Sequence, residues 1–240
     1  MQPATATTSI VARLTTAGEL RLDLGSGLLS PRVVRVDGAT AEIALVATGA
    51  TLIGGDEVQV AITVGSGIQL VLRDIAGTVA YHGRGRKSFW HNSVQIEDDG
   101  ILSWDAKPLV VSDGADVERS LVAHVATGGR LLLRDTVALG RTGELGGDLR
   151  CSTTVTYDDR PAIREDLHLD RPARGYPGVL GPHRVIDTLL AVGWQPQDLQ
   201  PTDFVLARPG ALARVLTEVA HESDLDQRWR SWSQELRGRP

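Results

Sequence analysis

A long succession of short β-like runs, separated by Gly, Asp, Asn and Ser, is the feature that most limits the fold of this chain. The runs lie between Ser9 and Leu169 and include GELRLDL, AEIALVAT, DEVQVAITV, IQLVLRD and RLLLRDTVAL. Strands spaced in this way between turn signals are typical of an all-β sandwich, barrel or solenoid. The sequence therefore predicts an all-β body over residues 9–170. Because no fixed-period repeat is visible, the pattern alone leaves the three architectures open.

Two patterns of hydrophobic residues indicate how the strands are layered. In DEVQVAITV the residues Val58, Val60, Ile62 and Val64 alternate with others, which gives the strand one apolar face. The run LLLRDTVAL is apolar almost throughout and suits a strand that is covered on both sides. The turns DDG, SDG and TGG supply residues that can take a positive φ where strands reverse. Layered sheets, stacked or coiled, account for both patterns.

The pattern changes after Asp170. HRVIDTLLAVGW places apolar residues at helical spacing and predicts a short amphipathic helix, and TDFVLAR predicts one late strand near 203–208. From Pro209 the spacing of Leu, Val and Trp predicts a second helical region, broken near Ser223. The chain is accordingly interpreted as a single domain over 1–240, with a helical C-terminal part over 182–238.

Composition excludes several classes of protein. The formal net charge of -5 gives no field that would attract nucleic acid or an anionic membrane surface. The longest apolar-leaning run, IALVATGATLI, is interrupted by Thr and Gly and is shorter than the roughly 20 residues of a bilayer span. A single cysteine, Cys151, excludes an internal disulfide framework and indicates a reducing compartment. We therefore expect a soluble, cytoplasmic protein with no nucleic-acid or membrane partner.

Glycine and histidine motifs give no nucleotide site and no permanent metal centre. Gly54-Gly55-Asp56 opens a strand, whereas a phosphate-binding loop needs its own spacing of glycines before a helix. The run GRGRKS at 83–88 resembles such a loop only superficially, because Arg precedes the lysine and no helix pattern follows. The six histidines show neither H-x-H nor H-E-x-x-H spacing. We expect no permanently bound cofactor.

Carboxylates inside apolar runs are the most suggestive polar residues. Asp56 follows the paired glycines, Asp135 interrupts RLLLRDTVAL, Glu144 follows GRTG, and Glu165 interrupts AIREDLHL. Acidic residues are seldom buried unless they are paired, hydrogen-bonded or bound to a cation. Each is therefore a solvated strand residue, half of an ion pair with arginine, or a cation ligand.

Two long stretches resemble the urease accessory protein UreD family, called UreH in some species. GATLIGGDEVQVAITVGSGIQLVLRD is similar to the glycine-glycine-aspartate opening of that family and the strands that follow it. The stretch from ILSWDAKPLVV to AIREDLHLD is similar to the longest family region. It includes the family's Gly-Arg plus Gly-Glu signature, at Gly140-Arg141 and Gly143-Glu144.

The resemblance implies a coiled, β-helix-like body of many strands with two C-terminal helices, and a non-catalytic role. Family members bind UreF, which bridges to the GTPase UreG, and they dock on urease apoprotein. The assembly delivers Ni²⁺ to urease, and a polar interior passage is the route implied for the ion, which is in transit rather than permanently bound. Family positions of that passage fall on Asp56, Thr78, Asp135 and Glu165, and the structural signature falls on Gly54, Gly55, Gly140, Arg141, Gly143 and Glu144.

Departures from the family pattern and two alternatives accompany this hypothesis. The chain has ATGATLI where the family has Pro-Pro-Gly-Gly, and VAYHGRG where the family has a Lys-Phe-Tyr-Arg-Ser type of run.

One alternative is a pure interaction platform for urease maturation that conducts no metal. The other, from a different class, is a β-solenoid hydrolase that uses Asp135 and Glu165 as paired carboxylates across a groove.

Overall fold

Two β-sheets form most of the molecule. The computed structural model describes residues 7–238. The seven-stranded sheet contains, in spatial order, β14 (Arg160–His168), β13 (Asp148–Tyr157), β11 (Asp116–Val125), β8 (Ser88–Ile96), β5 (Glu57–Val64), β1 (Thr8–Leu14) and β2 (Leu20–Gly25). The ten-stranded sheet contains β16 (Phe204–Val205), β17 (Gly210–Thr217), β15 (Val185–Val192), β12 (Arg130–Leu139), β9 (Ile101–Asp105), β6 (Gln69–Asp74), β4 (Thr40–Ala47) and β3 (Leu29–Asp37), with the short β7 (Thr78–Ala80) and β10 (Leu109–Val111) beside β12. Helical structure is limited to α1 (Arg171–Arg174), a 3₁₀ turn at Ala220–Glu222 and α2 (Leu225–Gly238) within the described range.

The chain coils between the two sheets. From β4 to β13 the larger strands alternate between the sheets, and strands that neighbour each other in a sheet are parallel. In the seven-stranded sheet Glu57 is in register with Phe89, Phe89 with Glu118, and Glu118 with Arg150. Each coil therefore advances the chain by 32, 29 and 32 residues in turn. The all-β prediction is confirmed, and the arrangement is solenoid-like.

Stacked turns mark the same point of successive coils. Gly67, Asp99 and Gly128 occupy equivalent positions and have φ values of 68°, 55° and 73°. The Gly67 N–H donates to the carbonyl of Asp98, and the Asp99 N–H donates to the carbonyl of Thr127. The predicted turns DDG and TGG are thus confirmed as positive-φ turns, which hydrogen-bond from one coil to the next.

The interior of the coil is hydrocarbon along its regular part. On β5 the side chains of Val58, Val60 and Ile62 are 0 to 2% exposed, and on β6 Leu70 and Leu72 are fully buried. They belong to one hydrophobic cluster that runs between the two sheets. The alternating pattern predicted for β5 is therefore the inner face of the solenoid.

Helix α2 covers the outer face of the ten-stranded sheet and makes a second core. Leu225, Trp232 and Leu236 of the helix are fully buried, and they pack with outward-facing residues such as Leu132 and Leu189. This second core explains the continuous apolar run of β12, because Leu132 faces the helix while its neighbours face the main core. No helix within residues 7–238 is long and apolar enough to cross a membrane.

The helix predicted from HRVIDTLLAVGW is wrong. Residues 185–192 form β15, which pairs antiparallel with β12 on one side and β17 on the other. Both faces of β15 are buried: Ile186 and Leu190 contact the main core, and Leu189 lies under α2. A strand buried on both faces is apolar without alternation, and its residues match helical spacing by coincidence.

The C-terminal part over 182–238 is consequently richer in strands than the sequence predicts. The late strand predicted near 203–208 corresponds to the two-residue β16, and residues 210–217, interpreted as helical, form β17. The predicted terminal helix is confirmed in α2, beyond the predicted break near Ser223. The other helix, α1, is one turn long and follows Asp170, whose side chain accepts a hydrogen bond from the Ala173 N–H.

Candidate functional site

A crevice opens between the two sheets where the parallel stack ends. It has an empty volume of about 610 Å³, including solvent at its mouth. Strands β11, β13 and β14 form one wall, and strands β12, β15 and β17 form the other. The walls carry apolar residues and six polar ones that lie near one another: Asp135, Cys151, Thr153, Glu165, Thr188 and Arg214.

Strand register explains why these polar residues meet. In the ten-stranded sheet Asp135 pairs with Thr188, and Thr188 pairs with Arg214, so the three form one row across β12, β15 and β17. In the opposite sheet Thr153 pairs with Glu165 across β13 and β14. Paired residues of adjacent strands point to the same face of a sheet. Polar positions far apart in the sequence therefore line two facing walls.

The first ion pair across the crevice joins Asp135 of β12 to Arg119 of β11. The guanidinium Nη1 donates to Asp135 Oδ1, and the guanidinium lies 5.6 Å from the ring centroid of Trp90. The Arg119 side chain is 11% exposed and that of Asp135 is 34% exposed. Burial alone would lower the pKa of Arg119, but the neighbouring Asp135 carboxylate raises the pKa above its usual value. Arg119 is therefore a fixed positive charge.

The second ion pair joins Glu165 of β14 to Arg214 of β17. Both carboxylate oxygens accept from the guanidinium, each at 2.7 Å, in a bidentate arrangement. Arg214 Nε also donates to Thr188 Oγ1 at 3.1 Å. Like the first pair, this one has one partner in each sheet. Planar bidentate pairs of this kind are among the stronger polar interactions in proteins.

A thiol lies between the two pairs. Cys151 of β13 lines the crevice together with Asp135 and Glu165. Burial raises the pKa of the Cys151 thiol to about 12, an effect that the positive charge of Arg119 opposes. The thiol is therefore protonated at neutral pH and is a poor nucleophile.

The polar surroundings of Arg119 include Asp74. A smaller cavity beside the crevice is lined by Asn92, Trp104 and Arg119 as well as Asp135. Trp104 Nε1 donates to Asp74 Oδ1 at 3.2 Å, and the Lys107 N–H donates to the other oxygen at 3.2 Å. Burial raises the pKa of Asp74 to about 6, although these hydrogen bonds and the charge of Arg119 oppose the shift.

Asp56 lies elsewhere, in the turn that the paired glycines build. Its Oδ2 accepts from the Ile53 N–H at 3.0 Å, and its own N–H donates to the Ile53 carbonyl. A Cβ atom at Gly54 would lie 2.2 Å from the carbonyl oxygen of Gly83, so the close approach of the two loops requires glycine. Gly55 has a φ of 96°. The motif is a tight turn, and a nickel role for Asp56 remains a prediction.

Thr78 is also outside the crevice. It lies on the short strand β7 and is half-buried, and its N–H donates to the Pro108 carbonyl at 3.0 Å. Its strand pairs with β10, which in turn pairs with β12. Of the four predicted passage residues, the structure thus brings together Asp135 and Glu165. The role of Thr78 remains a prediction.

The signature Gly140-Arg141 and Gly143-Glu144 forms a closed turn after β12. Arg141 Nε donates to Glu144 Oε1 at 2.9 Å, and Glu144 Oε2 accepts from the Arg141 N–H at 2.9 Å. These hydrogen bonds from Arg141 lower the pKa of Glu144 to about 2. Gly140 and Gly143 have φ values of 86° and 82°, and a Cβ at Gly140 would lie 2.7 Å from the backbone nitrogen of Gly146. The signature therefore fixes a turn.

Three further arginines hold this turn from outside. Arg184 Nη2 donates to the Arg141 carbonyl at 2.8 Å, while Arg171 and Arg174 donate to the Gly146 carbonyl at 3.0 Å each. Beside them Leu145 is 73% exposed. The turn is therefore held by arginine hydrogen bonds and presents an apolar side chain to solvent.

Comparison with known proteins identifies the family. The model of the UreD urease accessory protein family matches residues 28–233. The chain belongs to the UreD family. Urease accessory protein UreD 1 of Streptomyces griseus is 40% identical over 238 residues, covering 96% of this chain and 93% of that protein. UreD 2 of Saccharopolyspora erythraea is 28% identical, and the match covers 79% of this chain and 73% of that protein. UreD of Frankia casuarinae is 34% identical, and the match covers 65% of this chain and 53% of that protein.

Membership of the UreD family confirms the resemblance inferred from sequence and supports a role as an accessory protein. The two crevice carboxylates, Asp135 and Glu165, lie within the region that the family model matches. Among residues 7–238 no group of three or more His, Cys, Asp or Glu side chains is arranged to hold a metal ion.

Sequence reasoning missed the arginines that neutralise the crevice. Arg119 interrupts VERSLVAHV and Arg214 interrupts GALARVLT, and each side chain crosses the gap between sheets. The signal was available, because an arginine within an apolar strand requires a buried partner. Sequence reasoning also missed Asp74, the acid that ends the apolar run IQLVLRD.

Proposed function

We propose that this protein is a non-catalytic scaffold of urease maturation that acts with UreF and UreG in the cytoplasm. In this proposal it docks on urease apoprotein, and Ni²⁺ passes to the urease active site through the crevice between β13–β14 and β15–β17. Membership of the UreD family supports the accessory role. The observation that carries the proposed route is the meeting of Asp135 and Glu165 in one crevice.

The chemistry of the crevice suits an ion in transit. Ni²⁺ accepts carboxylate, hydroxyl and water oxygens, and a conduit has to release the ion as readily as it takes it up. Asp135 and Glu165 offer carboxylates on opposite walls, and Thr153 and Thr188 offer hydroxyls beside them. Scattered oxygen ligands of this kind favour brief binding over a closed coordination cage.

The interaction platform is the second candidate, and one observation favours it. Each crevice carboxylate already has an arginine partner, Asp135 with Arg119 and Glu165 with Arg214. Two negative and two positive charges give the crevice no net attraction for a cation. In this alternative the two pairs only hold the sheets together, and the protein positions UreF against urease without conducting metal.

Nickel loading in a reconstituted activation assay decides between the two. We expect D135N/E165Q to lower the nickel content of captured urease at least tenfold while co-purification with UreF and urease apoprotein is unchanged. The matched control is D166N, because Asp166 is the next residue on β14 but its side chain is 56% exposed. Unchanged loading by D135N/E165Q in an assembled complex would reject the conduit and support the platform.

A further inference from the structure

Two arginines stand where a passing cation would have to bind. Arg214 uses two nitrogens on the two oxygens of Glu165, and Arg119 holds Asp135. A metal ion that takes both oxygens of Glu165 has to displace Arg214, and one that takes Asp135 Oδ1 has to displace Arg119. A divalent ion entering the crevice would also meet two fixed positive charges at short range.

Both pairs cross the gap between the sheets. Arg119 and Glu165 lie on β11 and β14 of the seven-stranded sheet, and Asp135 and Arg214 lie on β12 and β17 of the other. Any movement that separates the two walls would therefore lengthen both pairs together. Each pair therefore ties one wall of the crevice to the other.

Each arginine has a second contact that does not involve its carboxylate. Arg119 lies over the Trp90 ring at 5.6 Å, and Arg214 Nε donates to Thr188 Oγ1 at 3.1 Å. A guanidinium that loses its carboxylate would keep a cation–π contact in one case and a hydrogen bond in the other. Exchange of the arginine for a metal ion therefore leaves neither guanidinium without a partner.

We propose that Arg119 and Arg214 are displaceable counter-cations that keep the crevice closed to divalent metal ions until the sheets are separated by a docked partner. This inference rests on the proposed conduit. The arginines decide when the carboxylates are available, and they prevent the free chain from retaining metal. They are positioning residues: they act on the ion through Asp135 and Glu165.

The test is the affinity of the full chain for Ni²⁺, measured by equilibrium dialysis with nickel chloride. We expect weak binding by the unaltered chain and at least tenfold tighter binding by R119Q/R214Q, because the substitutions free both carboxylates. Adding D135N and E165Q to that variant should abolish the gain. A structural role alone would not produce a gain of affinity, since loosening a fold does not create a site.

Two control variants sharpen the test. R164Q removes a positive charge from the same strand as Glu165 at a side chain that is 79% exposed, and it should leave the affinity unchanged. R119K/R214K keeps both charges and should raise the affinity less than the glutamine variant. If R119Q/R214Q does not give a cooperative unfolding transition, R119Q and R214Q are measured separately, and each should bind at least threefold tighter than the unaltered chain.

Affinity within twofold of the unaltered chain in folded arginine variants would overturn the inference. That result is distinguishable from failure of the conduit. Tighter binding by R119Q/R214Q together with unchanged urease loading by D135N/E165Q would keep the counter-cation role and reject the nickel route. The opposite pair of results would keep the route and reject the counter-cations.

Discussion

The regular coils and the C-terminal end of the solenoid have the same two-sheet frame but different interiors. Around β5 and β6 the space between the sheets is filled by Val, Ile and Leu side chains such as Ile62 and Leu72, which are almost fully buried. Around β12, β14 and β17 the facing walls carry Asp135, Glu165 and Arg214. The polar crevice thus lies where the parallel repeat stops.

The difference between the two interiors shows how the last coil of the solenoid is covered. In the regular coils the inner face of each sheet packs against the inner face of the other, so hydrocarbon fills the space between them without polar groups. The last coil has no successor, and the antiparallel strands β14, β15 and β17 close it instead. Ion pairs span a gap that is not filled by side chains. The proposed route therefore uses only this end, because the interior beside β5 and β6 is hydrocarbon.

The largest expected effect is on stability in the hydrocarbon part. Ile62→Ala should lower the free energy of unfolding by about 2 to 5 kcal/mol, because the site is 2% exposed and tightly packed. The matched change Ile163→Ala, in the wall of the crevice, should cost about 1 kcal/mol, since Ile163 is partly exposed and water can fill the space. Urea denaturation of both variants measures the difference. Equal losses would show that the two interiors are equally dry.

The second prediction concerns Asp74, which ends strand β6. Its folded pKa is about 6 and its ordinary value is 3.8. Between these values the folded protein holds a proton that the unfolded chain has lost, so stability falls as the pH rises from about 4 to 6. The resulting loss of stability is at most about 3 kcal/mol.

Denaturation at pH 4, 5, 6 and 7 tests the role of Asp74. We expect the decline between pH 4 and 6 in the unaltered chain and a flatter profile in Asp74→Asn. The comparison between the two proteins removes the contribution of other titrating groups. Parallel profiles over this range would mean that water reaches Asp74, and the polar region would then extend further into the coil.

The strands and turns were predictable because their signals are local. Alternation in DEVQVAITV, continuity in LLLRDTVAL and the DDG and TGG turns each depend on neighbouring residues. The coil period was not visible because the equivalent turn positions, Gly67, Asp99 and Gly128, are chemically different and the spacing varies between 29 and 32 residues.

The site was predictable in part. Asp135 stood out as an acid in an apolar strand, and its arginine partner was among the alternatives, but the identity of that partner depends on the packing of two sheets. Glu165 and Arg214 are 49 residues apart, and their meeting requires β17, which the sequence pattern presents as a helix. A residue's partner in the facing sheet depends on the register of the strands and on how the two sheets pack, and one sequence does not encode either locally.

The prediction with the smallest effect on the fold concerns the thiol of Cys151. It tests whether water in the crevice reaches this side chain. With a pKa of about 12, Cys151 is almost entirely protonated at pH 8. Its alkylation by iodoacetamide should then be roughly a thousandfold slower than that of an ordinary thiol with a pKa near 8.5, since the thiolate is the reactive form. Mass spectrometry of native and guanidinium-unfolded chains measures both rates on the same residue, because the chain has a single cysteine. A native rate within tenfold of the unfolded rate would show that water stabilises the thiolate, and the crevice would then be wetter than the burial of Cys151 implies.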